Sequence, residues 1–319
     1  MLLVAGACGG AARPGPAVTW TGARALTGQE DGPSGVATDG TRVLFTTGRT
    51  QVGENALRVA PFDGDPTSRV VATSPGGRPP NGRVAIDGDT VYLAAGNGIV
   101  RLPIGGGAAT VVVDGRPAGV DDVVVAGDQL WWTTAQYLAP ERVEVAHLSK
   151  AGEPVQVAAV NASTGLSDPH PDGDTALVAS PSGVLRVRAG ARPEVVVDAK
   201  AVGGPVSHLA MDDQRLYLLV ASSEKLFAVP RTGGAPIVLA KDVDSSRQLA
   251  VVGDQVVFFR NVGSVGSGGR ATLQAVPAAG GPERTIASGS YPDGDLAAVG
   301  ADRVVFSADG QVWVASVRG

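Results

Sequence analysis

Hydrophobic and polar positions alternate along the chain in short bursts. Apolar runs of about five residues, rich in Val, are each stopped by Asp and Gly or by a cluster of Gly. One class of run follows an Asp/Gly turn and begins at Val43, Val91, Leu130, Ala176, Leu216, Val256 and Val304, so successive members lie 39 to 48 residues apart. Each is preceded by an apolar run and a turn such as Asp39-Gly40, Asp87-Gly88, Gly127-Asp128, Asp172-Gly173, Asp212-Asp213 or Gly253-Asp254. Gly accepts φ > 0 there without steric cost, and Asp bonds its own downstream backbone. A third run follows (ALRVAPF, IVRLPIG, VEVAHLS, VLRVRAG, LFAVPRT, LQAVPAA, VWVASVR), and a fourth closes most units (RVVAT, TVVVDG, VQVAAV, EVVVDA, PIVLA, RTIAS).

Helices do not fit, because Gly or Pro interrupts each run before a period of 3.6 residues could develop. A long β-sandwich fits the strands but predicts no period. Four short strands repeated every 40 to 50 residues or so mark the blades of a β-propeller. The pattern therefore predicts an all-β fold: a seven-bladed β-propeller of four-stranded blades. The seventh unit stops after three strands, whereas residues 17–28 (AVTWTGARALTG) precede the first unit and belong to none. This segment is expected to supply the missing outer strand and close the ring, which removes an exposed edge. The domain reading is a signal-like segment and tether over 1–16 and one propeller over 17–319.

The runs VYLA (91–94) and LWWT (130–133), with third strands ending VPRTGG (229–234) and VPAAGG (276–281), resemble the repeats of secreted bacterial propellers of YWTD-like type. Receptor propellers of that type have six blades and a stricter motif. The resemblance implies an extracytoplasmic binding or scaffold module and no particular reaction.

Composition narrows the partners. Aromatic residues make up 4% of the 319 and the net charge is -5 with no basic run, which disfavours stacking on bases or neutralising phosphates. Nucleic acid is not an expected partner; a protein or a small molecule is, and the expected state is a monomer. Cys8 is the only cysteine, so no disulfide or thiolate zinc site forms within the chain. It ends the run MLLVAGA and precedes GGAARPGP, a passage that resembles the end of a bacterial lipoprotein signal, in which the Cys carries the lipid. The expectation is export to the cell envelope or beyond, with membrane contact only through a lipid on Cys8. The run lacks a basic start and is shorter than an export signal, so the alternative is an apolar N-terminus with no targeting role.

Candidate chemistry gathers where innermost strands begin, at the mouth of the central channel. Four residues before the turn position of Asp87, the seven units read Gly35, Arg83, Asp122, Asp168, His208, Gln248 and Asp295. The next positions are apolar: Val36, Val84, Val123, Pro169, Leu209, Leu249, and Leu296 or Ala297. A polar ring over an apolar floor is the usual form of a ligand site; strand starts at a wet mouth are the plainer account. Arg83, Asp122, Asp168, His208, Gln248 and Asp295 are the ligand-binding candidates. Asp122, Asp168, His170 and His208, with Asp121 nearby, are a candidate divalent-metal set, although no close His pair supports it. No other cofactor is expected. His147, on a third strand, reads as structural.

Other strings carry less. NVGSVGSGGR (261–270) lacks the GK[ST] ending and following helix of a phosphate loop, no GxSxG elbow occurs, and the two PDGD strings lack the ligand spacing of a calcium loop. Trp131, Trp132 and Trp313 are expected to pack between blades. The expected function is a non-catalytic, exported binding or scaffold propeller. The alternative is a metal-assisted lyase or hydrolase acting at the mouth, similar to streptogramin lyases in blade number only.

Overall fold

The computed structural model describes residues 20–48, 55–74, 80–115, 120, 122–134, 145–149, 156–159, 167–188, 190–244, 248–262, 269–290 and 292–318. Cys8 and Asp121 lie outside them. Seven antiparallel four-stranded sheets follow one another along the chain. Six are simple meanders, beginning with Ser34–Thr38, Arg42–Thr47, Ala56–Pro61 and Arg69–Thr73 in blade one. The hairpin between first and second strands turns on the Asp/Gly pair, as at Gly88, whose φ of 57° suits glycine.

Blade seven is completed from the other end of the chain. Its strands Pro292–Val299, Arg303–Ala308 and Gln311–Ser316 are joined by Ala23–Ala25, with Ala23 opposite Ala315 and Ala25 opposite Trp313. The pairing continues past the strand: Leu26 N donates to Val312 O at 2.8 Å, and Val312 N donates to Thr27 Oγ1 at 3.0 Å. The predicted closing segment is thus present, but it serves two blades. Thr21 forms an antiparallel bridge to Ser288 on the outer strand of blade six, and the chain reverses at Gly22 (φ +86) before entering blade seven. A Cβ at Gly22 would fall 2.4 Å from Ile286 O, so only glycine allows this reversal.

Trp20 anchors the crossing. It is 2% exposed and packs edge-on against Phe306 (centroids 4.8 Å apart) and Phe259 (6.1 Å). Its room is made by Gly289, where a Cβ would lie 2.6 Å from the indole.

The core is divided rather than central. Seven apolar clusters occur among the described residues, one at each blade-to-blade interface. Strand side chains alternate between faces, so each blade feeds two clusters. Trp131 packs toward blade four and Trp132 toward blade two, both fully buried, and Trp313 joins the cluster between blades six and seven. This explains why the runs are continuously apolar: both faces of every sheet are covered. Among the described residues, the cluster joining blades three and four contains Trp131, Val145, Ala176, Val178 and Val187. No helix among the described residues is long and apolar enough to cross a membrane.

Candidate functional site

Because the strands alternate in direction, the starts of the innermost strands, the links between second and third strands and the crossings between blades all lie on one face. The remaining turns lie on the other. The two faces differ in construction. On the far face, hairpins of two to three residues and links of six to seven repeat from blade to blade. On the mouth face, the link between second and third strands has two residues in blades two, four and seven, four in blade five, seven in blade six, eight in blade one and eleven in blade three.

The innermost strands reach the mouth through irregularities. In blades one, two, four, five and seven the register between first and second strands shifts near the strand start. Bulges of this kind re-aim side chains. Gly35 and Asp168 occupy the same place in two of them, both left-handed (φ 60° and 49°). Glycine takes that conformation freely, whereas an aspartate held there is strained unless its side chain is fixed.

Asp168 is fixed from four directions. Its Oδ2 accepts from His208 Nδ1 at 2.8 Å and from the Leu209 backbone N–H at 3.1 Å. Its Oδ1 accepts from Arg83 Nη2, and its own backbone N–H donates to Asp122 Oδ2 at 3.3 Å. Arg83 Nε also stands 2.9 Å from Asp122 Oδ1. One guanidinium therefore serves two carboxylates, 3% and 7% exposed. The second half of the ring is neutral in its bonding: Gln248 Nε2 donates to Asp295 Oδ1 at 3.3 Å, and Asp295 Oδ2 accepts from the Gly35 N–H at 2.9 Å.

A rule emerges from the partners. In four blades the ring side chain accepts from a backbone N–H of the next blade's innermost strand: Asp122 from Asp168, Asp168 from Leu209, Gln248 from Leu296 and Asp295 from Gly35. The ring positions found by alignment are therefore fasteners between blades as well as channel-lining groups.

The charges shape one another. Burial works hardest against a charged Arg83, but Asp122, Asp168 and Asp295 outweigh it and raise its proton affinity above that of ordinary arginine. Burial also pushes Asp168 upward, yet Arg83 and His208 overcome it and hold this carboxyl well below the usual range. Asp122 goes the other way, raised by burial with Asp168 adding repulsion, against the pull of Arg83. The single cation thus favours one carboxylate at the other's expense.

His170, in the metal set, directs Nε2 to the Leu209 carbonyl at 2.8 Å, and burial lowers its proton affinity. Asp122 and Asp168 present their oxygens to Arg83, His208 and backbone N–H groups. Among the described residues, no three His, Cys, Asp or Glu side chains converge as metal ligands. His147 pairs through its backbone with Trp131, within blade three. A separate groove of about 330 Å³, lined by Arg42, Val59, Pro61, Thr67, Ser68 and Arg69, lies on blade one away from the ring. No sequence signal marked it, because its walls come from three strands.

Comparison with known proteins agrees with this architecture. No family model matches the sequence, and no curated protein matches it. Among solved structures, the chain is similar to a catalytically inactive virginiamycin B lyase from Staphylococcus aureus with quinupristin, at 14% identity and a TM-score of 0.66 over 93% of this chain and 98% of that one. It is also similar to YCF48 bound to D1 peptide, at 12% identity and a TM-score of 0.64 over 94% and 97% of the two chains. A third is a chain of a mitotic checkpoint complex, at 11% identity and a TM-score of 0.66 over 99% and 100%. At such identities the likeness is one of fold: the chain is a seven-bladed β-propeller.

Proposed function

We propose that this propeller is a binding module whose site is the channel mouth and the loops around it. The observation that carries this reading is the contrast between the faces. The far face repeats one construction in blades one to six, and blade seven keeps the same first hairpin. The mouth face varies its links from two to eleven residues around the ring of Arg83, Asp122, Asp168, His208, Gln248 and Asp295. Variation of loops on a constant scaffold is how one fold acquires different partners. Neighbours of the same fold carry a small molecule in one case and a peptide in another, which supports a protein or small-molecule ligand.

We further propose export, with Cys8 as the lipid-bearing residue and a monomeric propeller beyond a short tether, on the strength of the MLLVAGAC passage. Mass spectrometry of the membrane fraction from a bacterial host would show a diacylglyceryl mass on Cys8. An unmodified cytosolic chain would end that part of the reading.

The mouth itself is tested by an unbiased fragment and peptide screen, with the contact region of each binder mapped by hydrogen exchange. Binders should protect the strand starts at 83–86, 122–125, 168–170 and 208–211. Binders confined to the far face or the outer strands would refute the reading.

A further inference from the structure

We infer that the mouth takes a ligand bearing a cationic N–H donor, an amine or guanidine, anchored on His208 Nε2. The inference rests on the mouth being the binding site and names the chemistry that it would select.

Two independent observations lead there. The first concerns hydrogen bonds. Asp168, Gln248 and Asp295 use each of their side-chain oxygens on a hydrogen-bond donor, and Asp122 uses Oδ2 on the Asp168 N–H while its Oδ1 lies 2.9 Å from Arg83 Nε in an ion pair. His208 differs. Its Nδ1 lies 2.8 Å from Asp168 Oδ2, and an ionised carboxylate can only accept, so Nδ1 carries the proton. In the neutral imidazole, Nε2 is then a bare acceptor. It has no partner among the described residues, and the side chain keeps 19% of its surface exposed at the mouth. Asp168 itself is held by Arg83 and the Leu209 N–H, so the imidazole is oriented by a group that cannot turn away.

The second concerns charge. The ring holds three carboxylates, Asp122, Asp168 and Asp295, against one guanidinium, Arg83, so with a neutral His208 it carries two net negative charges. Arg83 is committed to Asp122 and Asp168. Among the described residues Asp295 accepts hydrogen bonds from the Gln248 amide and the Gly35 N–H, both neutral, and is half-buried, with Arg83 acting on it through space alone. A cation entering the mouth meets an uncompensated field and an open acceptor. An anion meets repulsion from the ring, and Arg83, the ring's own cation, is already occupied by Asp122 and Asp168. Complementary charge is what selects partners at such sites.

The test uses the whole chain and benzylamine as the probe, with benzoate and N-benzylacetamide as the anionic and neutral counterparts. Only three histidines occur, so selective ¹⁵N-histidine labelling isolates His208. Spectra are recorded at a pH where its imidazole is neutral. Nε2 should appear unprotonated and should shift on adding benzylamine up to about 50 mM, a range suited to a fragment this small. Benzoate should leave it unmoved, and the amide should bind more weakly than the amine.

His208→Asn keeps an N–H where Nδ1 stood and so retains the Asp168 bond, but its acceptor, the shorter side chain's carbonyl oxygen, does not reach the Nε2 position. Benzylamine affinity, followed on methyl signals near the mouth, should fall at least about tenfold, and Asp295→Asn should also weaken it. A proton found on Nε2, equal binding of benzoate, no response to benzylamine, or unchanged affinity in His208→Asn would each overturn the inference. None of these touches the broader reading, which fails only if binders map away from the mouth.

Discussion

Replacing Arg83 by Ala leaves Asp122 and Asp168 facing one another without their shared cation. The two residues are 7% and 3% exposed, so water can supply little of the lost solvation. Removing one partner of a buried ion pair costs about 3 to 5 kcal/mol, and the lower end applies because a quarter of the Arg83 side chain is exposed. The sign of the pH dependence follows from the carboxylates. In the intact protein Asp168 titrates below its unfolded value of about 3.9, so its stabilisation is present above that pH and is lost only as pH falls further. Without Arg83, burial and mutual repulsion are less opposed, so both carboxyls move upward from where they titrate in the intact protein. The folded variant then binds protons more readily than the folded parent, and acid favours it relative to the parent. The gap between the parent and Arg83→Ala should be about 3 kcal/mol at pH 7.5 and should narrow toward pH 4.5. Urea unfolding followed by tryptophan fluorescence at several pH values measures it. A gap that is constant with pH, or smaller than about 1 kcal/mol at pH 7.5, would refute this account of the network.

Trp20→Ala empties the crossing between blades six and seven and should cost about 3 to 5 kcal/mol in the same assay; deletion of residues 17–28 should abolish the cooperative transition. Gly289→Val should mimic the loss of Trp20, since a Cβ there already lies 2.6 Å from the indole, and an unchanged unfolding midpoint would show that the indole does not sit where described. Asp168→Gly relieves the left-handed strain but removes three side-chain hydrogen bonds, so it should destabilise by at least about 2 kcal/mol. Asp168→Asn should lose less in hydrogen bonding yet leave Arg83 underpaired, and near-parental stability in both variants would mean that the ring does not fasten the blades. Trp132→Ala, in the interface between blades two and three, should cost about 3 to 5 kcal/mol, while the near-UV circular dichroism of the other blades persists.

What could be read from the chain and what could not differ in range of interaction. The seven units were legible because a hairpin turn is chosen locally: Asp87-Gly88 or Gly253-Asp254 signals a reversal through its own backbone preferences, whatever lies elsewhere. The ring positions were legible for the same reason, since counting back from a local turn reaches Arg83, Asp122, Asp168 and His208. Their bonding was not. Asp168 meets Arg83, 85 residues away, and Leu209, 41 residues away, and nothing in either neighbourhood encodes the match. The same limit explains Trp20. Residues 17–28 read as a single strand because the seventh unit lacked one and they belonged to no unit, whereas the division at Gly22 depends on Ile286 O and Gly289, which belong to another blade.

The fastening role of the ring bears on where function can vary. A residue that accepts from the next blade's N–H cannot change freely without leaving that donor unpaired, which costs about 1 to 3 kcal/mol when buried. Asp122, Asp168, Gln248 and Asp295 are constrained in this way, and Arg83 is constrained through two of them. His208 is tied on one nitrogen only. The ring therefore sets the charge of the mouth, and the single-tied imidazole is the part of it most free to be matched to a ligand. Changes in specificity should arise there, at little cost to the fold, whereas changes at the four fasteners should appear first as lost stability.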